Sequence, residues 1–94
     1  MEYITYLVPA LAANEIKVLA NPQTTGTISE FRFQDGQPNL LVKLGSGARV
    51  QQTLVGGTGE KYTSLSVACD EGSFISVQNL SDRLLMPQAI VIGK

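Results

Sequence analysis

The sequence predicts an all-β chain, a small antiparallel β-sandwich or jelly roll of about eight short strands, and three observations carry that prediction. Apolar and polar residues alternate in short runs with a period of two, as a pleated strand with one buried face requires. Gly, Pro, Asn and Asp punctuate those runs at roughly 8- to 12-residue spacing. Helical periodicity is nearly absent, and no crossover of a dozen or so helical residues joins two strands, which disfavours parallel βαβ architecture.

Each element follows from its own residues. Tyr3 to Val8 is β-rich and stops at Pro9, which has no amide hydrogen to continue a ladder. Leu11 to Ala13 reads as a brief helical turn. Ile16, Val18 and Ala20 alternate with Lys17 and Leu19, and Asn21-Pro22 ends this second strand. Thr27 to Phe33 forms the third, with Phe31 and Phe33 on one face and Glu30, Arg32 and Gln34 on the other. Asp35-Gly36 favours the positive φ of a tight turn and Pro38-Asn39 extends it, which predicts that Leu40 to Leu44 returns antiparallel. Gly45-Ser46-Gly47 turns the chain into Arg49 to Val55, whose Val50, Gln52, Leu54 set is only partly apolar and suits a sheet edge. Gly56 to Glu60, rich in glycine, predicts a mobile loop. Tyr62 to Cys69 places Leu65, Val67 and Cys69 inward, and Asp70-Glu71-Gly72 leads into Phe74 to Gln78 as the clearest hairpin. The last run, Gln88 to Ile92, follows a loop from Asn79 to Pro87 that carries Leu80, Leu84, Leu85 and Met86 where polar residues are usual.

The 94 residues fit a single domain, 1–94, with no linker and no internal repeat. The apolar share is 44% and the charged share 16%, against about 25% in ordinary domains. A surface so short of charge suits contact with other proteins, the plain alternative being an exterior of uncharged polar groups. Net charge is −1, and Lys17, Arg32, Lys43, Arg49, Lys61, Arg83 and Lys94 are spread along the chain. Nucleic acid is therefore not an expected partner, since phosphate binding needs clustered cations. The apolar stretch from Leu7 to Ala13 is short, broken by Pro9 and preceded by no basic residues, so neither a signal peptide nor a membrane segment is expected. Cys69, the single cysteine, has no intramolecular disulfide partner and reads as a buried, inert thiol.

The chain has no histidine. That removes the commonest general base near neutral pH, the commonest zinc ligand and the usual activator of a Ser or Cys nucleophile. Carboxylates remain, in Glu2, Glu15, Glu30, Asp35, Glu60, Asp70, Glu71 and Asp82, but most sit in turns or on polar faces. Asp70-Glu71-Gly72 lacks the spaced acids and terminal Glu of a calcium loop. Gly56-Gly57-Thr58-Gly59-Glu60-Lys61 resembles a phosphate loop, yet Glu60 separates the last glycine from Lys61, and Tyr62 stands where a Ser or Thr would hold magnesium. Asn79-Leu80-Ser81 matches a glycosylation acceptor by chance. The expectation is a protein that is not an enzyme, with no catalytic, cofactor-binding or metal residues. Contact is assigned to Leu80, Leu84, Leu85 and Met86, with Gly57 and Thr58 on the glycine loop. The alternative is a small ligand- or carbohydrate-binding β-barrel module.

The stretch Gly72-Ser73-Phe74-Ile75-Ser76-Val77-Gln78-Asn79-Leu80-Ser81, continued by Ala89-Ile90-Val91-Ile92-Gly93, resembles small bacteriophage virion proteins. In these a strand ending in an Asn-x-Ser turn leads to a final strand that closes on Gly. The likeness covers about a quarter of the chain, and Leu84-Leu85-Met86-Pro87 departs from the short polar turn of the pattern. It implies a β-sandwich or jelly-roll structural subunit that decorates or cements a capsid or forms a minor capsid or spike element. Its partners would be other capsid or assembly proteins and further copies of itself, in a homo-oligomer such as a trimer. Its location would be the virion, reached from the host cytoplasm during assembly. The resemblance identifies no catalytic residue.

Overall fold

The computed structural model describes residues 2–19, 26–34, 39–56, 60–69 and 72–94, and among them there is no helix. These residues form ten strands: β1 (Tyr3–Val8), β2 (Ile16–Leu19), β3 (Gly26–Ile28), β4 (Glu30–Phe33), β5 (Leu40–Ser46), β6 (Arg49–Val55), β7 (Lys61–Tyr62), β8 (Val67–Cys69), β9 (Ser73–Asn79) and β10 (Gln88–Gly93). Pairing runs from the outside in: β1 with β10, β2 with β9, β3 with β8, β4 with β7 and β5 with β6, all antiparallel. The chain is thus one long hairpin whose tip is the β5–β6 turn. It is rolled up by two further pairings, β10 with β4 and β5 with β9. The result is two four-stranded sheets, β1-β10-β4-β7 and β2-β9-β5-β6, with β3-β8 as a short ribbon. A long hairpin rolled into two such sheets is a jelly roll, a form of β-sandwich.

The two sheets meet through their apolar faces. Phe31, Phe33, Ile90 and Ile92 of one sheet and Leu40, Val42, Leu44, Ile75 and Val77 of the other are fully buried. The Phe31 and Phe33 rings meet edge to face at 4.9 Å between centroids, and Tyr62 adds a third ring 6.2 Å from Phe33. Cys69 is buried beside Val67, as the alternation predicted. Gly47, at φ 61°, opens the β5–β6 turn, where a side chain would be strained. At the bulge between Leu44 and Gly45 a Cβ would collide with the Arg49 carbonyl and the Phe74 ring, so the absence of one lets Phe74 lie against bare backbone.

Strands β1, β6 and β10 lie where the sequence places them, and β6 is an edge, while β5 runs on through Gly45 and Ser46, expected in the turn, and leaves the turn to Gly47 and Ala48. Four further expectations are corrected. Thr27 to Phe33 is two strands, because Ser29 leaves the ladder to donate to the Gly93 carbonyl and accept from Leu65 N–H, and β3 and β4 then take different partners. Tyr62 to Cys69 is interrupted by Ser64 at φ 60°, and its second half pairs with β3, so the hairpin expected with Phe74 to Gln78 does not form. The connection from β4 to β5 crosses between sheets where a hairpin was expected. Leu11 makes an isolated bridge to Leu85 in place of a helical turn. Ala20, Asn21-Pro22, Asp35 to Pro38, Gly57 to Gly59 and Asp70-Glu71 lie outside the described residues.

Candidate interaction surface

The loop between β9 and β10 is built around Asn79, which is fully buried. Its side-chain amide donates to the carbonyls of Arg83 (2.6 Å), Leu11 (3.1 Å) and Ala12 (3.1 Å). Its side-chain oxygen accepts from the Ser81 N–H (2.9 Å) and the Ser81 hydroxyl (2.7 Å). An Asn-x-Ser run suits this job because a short side chain can satisfy backbone two residues ahead while its amide reaches a second loop. Leu11 and Leu85 exchange both backbone hydrogen bonds, at 3.0 and 2.8 Å, which ties the loop to the β1–β2 connection. The Asn79-Leu80-Ser81 match is therefore structural, and the nitrogen a glycan would need is engaged inside the fold.

On this held loop the predicted contact residues divide. Leu84 and Met86 are 62% and 58% exposed, and Leu80 is also exposed. Leu85 is not a surface residue: it is buried with Leu11, because the bridge between them turns its side chain into the core. Gly57 and Thr58 lie outside the described residues. Beside the loop, Leu7, Pro9, Pro87 and Ala89 line an open apolar groove of about 600 Å³. Leu7, at 79%, is the most exposed large apolar side chain among the described residues. Gln88, where β10 leaves this loop, is 3% exposed and neither atom of its amide has a hydrogen-bond partner.

The outer faces of the two sheets differ. On the β2-β9-β5-β6 sheet the register aligns Ile16, Gln78, Leu41 and Val55 in one row and Val18, Ser76, Lys43 and Thr53 in the next. Lys43 is the one charge in these rows, while Ile16 and Val18 are largely exposed. On the other sheet Thr5, Val91, Arg32 and Lys61 form a row, and Lys61 reaches Glu30 at 3.7 Å. Tyr3 opposes Gly93, which opposes Glu30, so these three residues form a row across β1, β10 and β4. The nearby Glu30 carboxylate is the main reason the Tyr3 hydroxyl is held above its ordinary pKa, and burial does the same for Tyr6.

Among the described residues, no three His, Cys, Asp or Glu side chains converge as a metal site would require, and no helix is long and apolar enough to cross a membrane. A second concavity, more polar and about 550 Å³, is lined by Ser46, Arg49, Val50, Gln51 and Ser66. No family model, curated protein or solved structure matches this chain. Sequence reasoning found the apolar loop but missed Leu7, Ile16 and Val18. Their apolar character was legible in the sequence, but their exposure was not, because it follows from the rolled hairpin leaving β1 and β2 at sheet edges.

Proposed function

We propose that this chain is a structural assembly subunit, of the kind that decorates or cements a capsid or forms a minor capsid or spike element. It would join other capsid or assembly proteins, and further copies of itself, through apolar loops and sheet edges. The observation that carries the reading is the outward projection of Leu84 and Met86 from a loop that Asn79 holds fixed. Exposing such side chains on an ordered loop carries no benefit to the isolated fold, whereas rigid apolar projections suit a preorganised contact. The virion setting rests on the resemblance of the C-terminal stretch and on the use of jelly rolls in capsid domains, an analogy of fold. The experiment is the double variant L84S/M86S, compared with the parent chain by sedimentation over a wide concentration range and for incorporation into purified particles. Loss of particle incorporation is expected, with an unchanged circular dichroism spectrum and no aggregated species in sedimentation, and undiminished incorporation overturns the loop's role.

The polar concavity beside β6 supports a second reading, a module that binds a small polar ligand such as a carbohydrate. That reading expects a monomer at every concentration and chemical-shift changes at Arg49 and Gln51 when saccharides are added.

A further inference from the structure

Strand β1 is the outermost strand of its sheet. Glu2 and Lys94 exchange both backbone hydrogen bonds, at 3.0 and 2.8 Å, and that fixes the alternation along the register that follows. Ile4, Tyr6 and Val8 turn their N–H and C=O groups toward β10. Tyr3, Thr5 and Leu7 turn theirs outward, and among the described residues nothing pairs with them. The strand reads Tyr-Ile-Thr-Tyr-Leu-Val, without a charge, a proline or a glycine. Such an edge is a template for another strand.

We propose that β1 pairs antiparallel with β1 of a second copy about a two-fold axis at Thr5, joining the two four-stranded sheets into one continuous sheet. This rests on the assembly reading and names its partner and its surface. A second copy is favoured because the strand complements itself. Only registers that oppose Tyr3, Thr5 and Leu7 with one another bring free groups together, and the register centred on Thr5 alone uses all three, for about six hydrogen bonds. It sets Tyr3 against Leu7 of the second copy, Thr5 against Thr5, and Ile4 against Tyr6. Aromatic–aliphatic and Thr–Thr pairs are the favourable cross-strand neighbours, and no like charges meet. Shifting by two residues leaves one of the three unpaired. The contact is isologous and closes on itself as a dimer.

Amide hydrogen exchange of the whole chain, followed as concentration is raised, tests this together with T5P. In the monomer the amides of Tyr3, Thr5 and Leu7 exchange freely while those of Ile4, Tyr6 and Val8 are protected. Pairing predicts a dimer mass and at least about a tenfold slowing at Tyr3, Thr5 and Leu7 where the dimer dominates. T5P is expected to fold, since the N–H it removes has no intramolecular partner, and to be monomeric. If T5P fails to fold, exchange in the parent chain still decides. An oligomer in which these three amides exchange freely, or a trimer that survives T5P, overturns β1 pairing and leaves assembly to the Leu84 loop. A chain monomeric at every concentration also overturns it, and the particle-incorporation test of L84S/M86S then decides the assembly reading alone.

Discussion

The two sheets end differently on their two sides, and the contrast between β6 and β1 shows how an edge is closed or left open. On β6 the Val55 carbonyl accepts from the Tyr62 hydroxyl at 2.9 Å. Gln51 spends its side-chain amide on both backbone groups of Ala68, accepting from the N–H at 3.2 Å and donating to the carbonyl at 3.5 Å. Neighbouring β7 is two residues long, too short to template anything. Strand β1 has six residues and none of these devices. Unpaired edge groups cost little in water, so the bare edge is compatible with a stable monomer, but nothing on it discourages a further strand. Protection here comes from side chains spent on neighbouring backbone, and β1 spends none.

The largest effect expected from this contrast separates the two sides of β1 itself. The Tyr6 N–H faces β10 opposite Ile90, so Y6P removes a ladder bond in mid-strand and strips the half-buried phenol from the core edge. A loss of about 3 kcal/mol or more is expected in urea unfolding. Because the neighbouring amide at Thr5 is free, T5P should cost no more than about 1 kcal/mol. Equal costs at the two positions would mean that the alternation assigned to β1 is wrong.

A spent and a free side recur on the loop above the groove. L85S places a hydroxyl in the packed pocket shared with Leu11 and should cost about 2–4 kcal/mol in the same unfolding experiment. L84S, one residue earlier and 62% exposed, should stay within about 0.5 kcal/mol. Comparable losses would show that Leu84 also supports the fold.

Much of the fold was legible because burial writes a period of two: Phe31 and Phe33, Ile90 and Ile92, and Val67 and Cys69 declared their inner faces without help. What failed was pairing. Asp35-Gly36 and Asp70-Glu71-Gly72 say that the chain turns but not into which sheet, and a rolled hairpin pairs each early strand with a late one, far away in sequence. Ser64 and Ser29 carry no local mark of the strand breaks they make. For the candidate surface, composition revealed an apolar loop, but Leu84 and Leu85 are chemically identical there. Only the bridge to Leu11 tells them apart.

Removing a guard from β6 tests whether edge protection operates as described. Y62F keeps the ring against Phe33 and deletes the hydroxyl that caps the Val55 carbonyl. A loss of about 1 kcal/mol is expected, the net worth of one hydrogen bond. The added consequence is specific: the exposed carbonyl should increase self-association through β6 while leaving exchange at Tyr3, Thr5 and Leu7 unchanged at low concentration. Association confined to β1 would show that the Tyr62 hydroxyl does not guard the edge.

The smallest expected effect on stability lies at Lys17. Strand β2 is also an edge, four residues long, and the register that opposes Lys17 to buried Val77 turns this lysine to the core-facing side. An inward-pointing charge on an edge strand deters another strand, which would have to cover the ammonium. The lysine contributes little to the fold: its pairing with Glu15, at 3.8 Å, is exposed, and such pairs are worth a few tenths of a kcal/mol. K17V should therefore change the unfolding free energy by less than about 0.5 kcal/mol. It would leave β2 as bare as β1, with Ile16 and Val18 already on its outer face. Sedimentation should then show larger species than the parent chain forms, and T5P in the K17V background should not abolish them. If K17V associates no more than the parent, charge is not what keeps β2 free. The difference between the edges would then reduce to length, six residues against four.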